Sequence, residues 1–315
     1  MSTQLTVSTS PHVHSEFSTR GIMFSVILAL LPAGIVGTYF LGLRSLAVIA
    51  TCIIACVASE WFWQKCVMKT KTTISDLSAV VTGLLLAYNL PPTMPLWMAI
   101  CGSIFAIIVV KGFYGGLGCN IVNPALAARA MMLISWPTAM TTWTVQGMSG
   151  ATPLAAMKAG NAVNVSCWDM LVGNMGGCIG EVSSVLLILG GIYLIWEEVI
   201  SWRIPVVYIA TTAILAALFG HGGFMTEIFT GGLLIGAFFM ATDYTTSPMS
   251  AKGQYIYAFG CGLLTALIRT WGGYPEGVSF SILIMNIAVP LIDQYTAPRI
   301  LGAPKSNFFK RTGGK

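Results

Sequence analysis

Along this 315-residue chain the apolar residues come in long unbroken runs, not in alternation. A helix needs about 20 apolar residues to cross a bilayer, within a range of about 17–25. The runs predict ten membrane helices, over 22–43, 45–63, 77–90, 96–112, 124–136, 182–198, 203–220, 228–241, 254–271 and 278–295. Three of them, 77–90, 124–136 and 228–241, are too short to cross comfortably. Backbone that stops at membrane depth must be buried in protein or line a cavity, so these short runs mark a structured interior. The expected fold class is an all-α polytopic membrane protein.

The pattern also repeats. Asp76 opens a run reading Thr82-Gly-Leu-Leu-Leu-Ala87, which ends at Pro91, Pro92 and Pro95. Later, Glu227 opens a run reading Gly232-Leu-Leu-Ile-Gly-Ala237, which ends near Pro248. A long helix, a Gly-rich loop (Gly112–Gly118, then Trp271–Gly277) and another helix follow each run. Five helices per half give the halves opposite topology, and inverted repeats of this kind place a ligand or ion path at the repeat interface. The expected organisation is a tail over 1–21, a five-helix repeat over 22–136 and a loop over 137–181. A second repeat over 182–295 and a basic tail over 296–315 complete it.

Composition agrees with a lipid solvent. Hydrophobic residues make up 56% of the chain and charged residues 9%, where soluble domains carry about 25% charged residues. Residues 1–20 are polar and the first apolar run lacks a small-residue cleavage site, which predicts a retained helix. With the N-terminus inside, twelve of the 16 Lys and Arg fall on the inner side. Arg44, Lys158 and Arg269 fall outside, and Arg129 lies within a hydrophobic run. This bias follows the positive-inside rule. It predicts both termini in the cytoplasm and the 137–181 loop outside. The bilayer is the expected partner, and nucleic acid is not.

The polar residues inside this pattern are the candidates for chemistry. Arg129 is costly in a hydrophobic run and marks either a functional site or a snorkelling side chain. Asn123 and Pro124 start its helix and present a helix N-terminus to an anion. Asp76 reads as an N-cap or as a cation ligand at a helix mouth, and Asp243 as a cation ligand or a solvated loop residue. Glu197 and Glu198 read as loop charges. The eight cysteines include no CxxC pair. Cys52 and Cys56 read as packing residues, and a Cys167–Cys178 disulfide is left open. His12 and His14 form an HxH in a polar tail, and His221 sits at a helix end. No metal site is expected, and no catalytic residue in the usual sense.

Ser149-Gly150-Ala151-Thr152, followed by Pro153, reads by itself as a turn running into a helix. Five stretches together carry more. These are Ser10-Pro-His-Val-His-Ser15, Asn123-Pro-Ala-Leu-Ala-Ala-Arg129, Ser149-Gly-Ala-Thr152, Ala241-Thr-Asp-Tyr244 and Thr246-Ser-Pro248. In this order they resemble the NqrB/RnfD family, and the RnfD subunits of Rnf ion-translocating electron-transport complexes in particular. The resemblance implies FMN carried on Thr152 through a phosphoester to its hydroxyl, attached outside the cytoplasm by a flavin transferase. It implies Ser149, Gly150 and Ala151 as the rest of that motif, with Arg129 and Asn123 near the flavin. It also implies a second flavin, riboflavin, held without a covalent bond. Trp271 and Tyr274 can stack on a flavin ring or simply belong to the aromatic belt.

The implied function is electron transfer between ferredoxin and NAD coupled to Na⁺ or H⁺ movement across a bacterial inner membrane. The implied partners are a membrane iron–sulfur pair of subunits, an extracytoplasmic FMN-bearing subunit and cytoplasmic subunits that react with NADH and ferredoxin. This chain has no ferredoxin-type cysteine spacing and no GxGxxG stretch, so it needs those partners. An NqrB-type quinone-reductase subunit is the nearer alternative, and its longer N-terminal region is not matched by the roughly 20 residues here. A flavin-free secondary transporter is the alternative from another class, since broken helices suit it equally well.

Overall fold

The computed structural model describes residues 18–145, 148–149, 153–158, 168, 171, 176–219, 224–273 and 276–297. The first half runs α1 (Thr19–Leu41), α2 (Leu43–Phe62), α3 (Ser78–Tyr88), α4 (Leu96–Ile104) and α5 (Pro124–Ser135). Short pieces follow: α6 (Pro137–Thr141), a ribbon of β1 (Thr144–Val145) with β2 (Met148–Ser149), and α7 (Pro153–Lys158). The second half runs α8 (Ser184–Trp196), α9 (Arg203–Leu218), α10 (Phe224–Phe229), α11 (Leu233–Ile235), α12 (Ala251–Trp271) and α13 (Val278–Thr296). π-helical turns extend α2 through Val67, α4 through Gly112 and α11 through Met240. The two-residue antiparallel ribbon, Thr144 opposite Ser149, corrects the all-α expectation locally.

Local chemistry sets the boundaries. Ser18 caps α1 by accepting from Gly21 N, and Ser250 caps α12 by accepting from Gly253 N. Asn123 caps α5, with Pro124 at the first helical position. The short runs are short in the structure too. α3 has 11 residues and α5 has 12. The run expected over 228–241 is broken into α10 and α11 with its π turn. Asp76 is not the cap of α3. It ends a 3₁₀ turn, and Leu77, at φ 64°, stands in the N-cap position with no side-chain hydrogen bond.

Among the described residues, three spans are long and apolar enough to cross a membrane by length and composition: Thr19–Leu41, Leu43–Val67 and Val278–Thr296. The distribution of polarity is inverted relative to a soluble protein. Ile35, Ile54, Leu189, Leu218 and Ile287 lie on the outside, while Glu60, Lys111, Arg129, Glu227 and Arg269 are buried. Water would favour the reverse, and lipid favours this. The chain is a helical membrane protein. Glu197 and Glu198 are exposed in the α8–α9 turn, as expected. Cys52 and Cys56 are fully buried against neighbouring helices, which bears out the packing reading.

α2 packs on α3 and α4, and α9 packs on α12, which also packs on α13. The halves interlock where α1 meets α8 and α5 meets α13. A particularly close approach is at Gly83 in α3. A Cβ there would lie 2.9 Å from both Cys52 O and Ile53 Cα of α2, and backbone atoms cannot rotate away. Gly83→Ala is therefore expected to destabilise the protein by about 1–3 kcal/mol. Gly273→Ala, where a Cβ meets nothing within 4 Å, is the matched control. Unfolding of both in detergent checks this, and equal midpoints would contradict the close packing.

Candidate functional site

Among the described residues, five buried charged side chains form three ion-pair clusters with their partners. In the first half, Lys111 Nζ donates to Glu60 Oε1 at 2.7 Å and to Ser78 Oγ at 2.7 Å. This ties the ends of α2 and α4 to the start of α3. In the second half, Arg269 Nη1 donates to Glu227 Oε2 at 2.6 Å, and the same guanidinium reaches Thr230 O and Gly231 O. Between the halves, Arg129 of α5 pairs with Glu276 just ahead of α13 and also donates to Ser279. Lys111 and Arg269, which the sequence only assigns to the inner and outer sides, are 3% exposed each. The periodicity missed this because both sit at helix ends, where a loop charge and a buried partner look alike.

Arg129 is 5% exposed, so it does not snorkel. Its charge is matched by Glu276, and its second nitrogen also approaches Cys178 Sγ at 3.6 Å. Cys178 is a free buried thiol that donates to Asn89 O at 3.3 Å. Cys167 lies outside the described residues. Glu181, in a 3₁₀ turn ahead of α8, completes this cluster, and its Oε1 has no hydrogen-bond partner. Sequence reasoning does not single out Glu181 and Glu276. The available signal is acidic residues flanking hydrophobic runs, which loop residues also show.

Three of the five motif stretches, those at Asn123, Asp243 and Thr246, converge on one junction. Asn123 Oδ1 accepts from Ala125 N at 3.0 Å and Leu126 N at 3.3 Å, while Nδ2 donates to Met240 O. Oriented so that both ends are satisfied, the Asn286 amide accepts from Asn123 N at 3.2 Å and donates to Thr246 O at 3.2 Å. Asp243 Oδ2 accepts from Thr245 at 3.0 Å and Thr246 at 3.2 Å. Burial raises the Asp243 carboxyl above its ordinary range against the pull of those hydroxyls.

Beside this junction lies a mostly apolar cavity of about 290 Å³, lined by Val26, Lys111, Asn123, Phe238, Phe239 and Asp243 among others. A second cavity of about 330 Å³ is lined by Glu60, Gln64, Thr73, Asp76 and Gly116, and Lys111 borders both. Two of the sequence candidates, Asp243 and Asp76, thus fall in separate cavities, and Lys111 stands between them.

The Ser149–Thr152 stretch is partly described. Ser149 lies in β2, and Gly150, Ala151 and Thr152 lie outside the described residues. The helix after them begins at Pro153, and Leu154 is 4% exposed. A Cβ on Gly231, whose φ is 70°, would collide with Leu154 Cδ1, so this segment rests directly on backbone. Lys158 donates to Gly272 O. The segment is thereby anchored on the second half, beside Arg269. Trp271 is exposed and packs at a tilt against Phe219, ring centroids 4.9 Å apart, an outward ring of the aromatic-belt kind. Tyr274, His12, His14 and His221 lie outside the described residues.

A profile of the NQR2, RnfD, RnfE family matches residues 6–302. The chain belongs to this family. It is 52% identical to the D subunit of the Na⁺-translocating ferredoxin:NAD⁺ oxidoreductase complex of Acetobacterium woodii, over 96% of both chains. It is 48% identical to the D subunit of the proton-translocating ferredoxin:NAD⁺ oxidoreductase complex of Clostridium ljungdahlii, over 93% of this chain and 95% of that one. Identity to the D subunit of the ion-translocating oxidoreductase complex of Aliivibrio salmonicida is 35%, over 95% of this chain and 99% of that one.

Proposed function

We propose that this chain is the RnfD-type subunit of an Rnf complex, with FMN carried on Thr152. The complex would couple electron transfer between ferredoxin and NAD to translocation of Na⁺ or H⁺. The observation that carries the reading is near full-length identity of about half to two such subunits. Residue chemistry supports it. Thr152 offers the hydroxyl a phosphoester needs, and Gly150 and Ala151 leave its backbone approachable by a bulky transferase. Leu154, seated on Gly231, fixes the segment two residues downstream. FMN in ester linkage supplies an electron carrier that cannot dissociate, and the protein's part is to position and tune it.

The cavity beside Asn123 and Asp243 is the best place for the second, non-covalent flavin. Its apolar lining with few polar groups suits a small-molecule site, and its volume of about 290 Å³ lies at the lower edge of the range of about 300–1,000 Å³ for such sites. Arg129 and Asn123 then serve different ends. Asn123 lines that cavity while capping α5, and Arg129 holds the seam between the halves.

The ten helices are read as two inverted repeats. Both halves start their third segment from a left-handed residue, Leu77 at φ 64° and Gly232 at φ 68°. Each half also clamps that start with a buried cation from its fourth segment, Lys111 or Arg269. Opposite topology places one clamp at the inner face and the other at the outer face, with Thr152 outside and both termini in the cytoplasm of a bacterial inner membrane. The partners are the other Rnf subunits and a flavin transferase.

The test is ultraviolet-excited fluorescence of the denatured chain on a gel, after co-expression with an active flavin transferase. A fluorescent band is expected. A dark band would remove the covalent flavin and turn attention to the flavin-free transporter, which the broken helices suit equally well.

A further inference from the structure

The three buried clusters differ in charge balance. Lys111 faces Glu60 and Arg269 faces Glu227, one cation to one carboxylate. Around Arg129 stand two carboxyl groups, Glu276 and Glu181, with the Cys178 thiol. Ligand atoms of Cys178, Glu181 and Glu276 all lie within 4.8 Å of one another. The Nη atoms of Arg129 already reach Ser279, Glu276 and Cys178, and only its Nε is left without a hydrogen-bond partner. Glu181 Oε1 is shut away from solvent and has no hydrogen-bond partner. A carboxylate left unpaired in such surroundings is the costliest arrangement open to it. A metal cation on the same three residues would sit against the guanidinium, so it is not the natural complement.

We infer that Glu181 carries an exchangeable proton, making the seam between the two halves a proton-binding site. The groups that face Glu181 are Glu276, Arg129 and Cys178. The thiol stays protonated, because burial raises it well above its ordinary value, and so it adds no charge. Burial and then Glu276 push the Glu181 carboxyl up to about 7, while Arg129 and Cys178 pull it down. One proton therefore balances the cluster near neutral pH.

The location gives the proton a use. Arg129 belongs to α5, Glu276 to the approach to α13 and Glu181 to the approach to α8, so three elements meet on it. Glu181 Oε1 also lies 2.8 Å from where a Gly232 Cβ would stand. The neighbouring Gly231 carries Leu154. The proton site thus adjoins the turn on which Leu154 rests, two residues after Thr152 in the chain. Protonation of Glu181 stands on the cluster's geometry and the burial that raises its carboxyl, and its part in ion translocation rests on the function proposed above.

The test is an infrared titration of the full-length protein in detergent. Wild type is expected to show a buried carboxylic-acid band that disappears as pH rises through about 7 and is missing in Glu181→Gln. Glu276→Gln frees Arg129 to pair with Glu181, so the midpoint is expected to fall by about one pH unit or more, a tenfold loss of proton affinity. A merely structural Glu276 would leave that midpoint in place.

Wild type alone can overturn the inference, by showing no carboxylic-acid band that titrates near neutral pH. So can a band that survives in Glu181→Gln, a midpoint in Glu276→Gln that holds or rises, or a band removed by NaCl at fixed pH. That last result would mean the site takes Na⁺ instead. Gel fluorescence of the same samples tests the flavin separately, so a dark band with an intact titration sinks only the flavin reading.

Discussion

Thr152→Ala is expected to give a chain that folds, inserts and stays dark under ultraviolet light, beside a fluorescent wild-type band. The loss should be complete, because the phosphoester requires a hydroxyl oxygen and alanine has none. Thr152→Ser keeps the oxygen and is expected to retain some fluorescence. Stability should change little. Among the described residues, Leu154 on Gly231 and Lys158 on Gly272 O hold the helix that follows, and both remain. A fluorescent Thr152→Ala band would move the attachment to another residue. A dark band together with a large drop in unfolding midpoint would mean that Thr152 serves the fold as well.

The second large effect is on stability. Arg269→Met leaves Glu227, 1% exposed, with no cation, and leaves Thr230 O and Gly231 O without their donor. Breaking one side of a buried ion pair costs about 3–5 kcal/mol. The double variant Arg269→Met with Glu227→Met is expected to recover much of this loss, since a buried pair replaced by apolar groups is often close to neutral. Recovery should stop short of wild type, because Thr230 O, Gly231 O and Glu227 O all lose the Arg269 donor, at about 1–3 kcal/mol for each buried polar group left unsatisfied. Unfolding in detergent measures the cycle. A cost below about 1 kcal/mol for the single variant would fit an exposed pair and not this buried one.

The membrane class and the segment boundaries were legible in the sequence because lipid imposes one rule on every residue that meets it. Runs read over 45–63, 124–136 and 278–295 became Leu43–Phe62, Pro124–Ser135 and Val278–Thr296. The short runs were legible for the same reason, since length is read directly. The Asn123-Pro124 start of α5 was readable from local capping chemistry. Asp76 reads as a cap for a related reason: the capping rule names residue types, while the left-handed Leu77 that intervenes depends on the surrounding packing.

What the sequence determined by itself is therefore local or collective: helices, their lengths, a lipid-facing exterior and a hydroxyl at position 152. What only the tertiary structure decided is which charges meet. Lys111 and Glu60 are 51 residues apart, Arg269 and Glu227 are 42 apart, and Arg129 and Glu276 are 147 apart. Nothing in the spacing announces these pairs: Lys111 and Arg269 sit at helix ends, where a loop and a buried cluster look alike, and Arg129 stands out within its run without naming its partner. Their separation in space, and the one carboxyl left over at Glu181, follow from how the halves pack, and a low-dielectric interior makes that single unmatched charge matter.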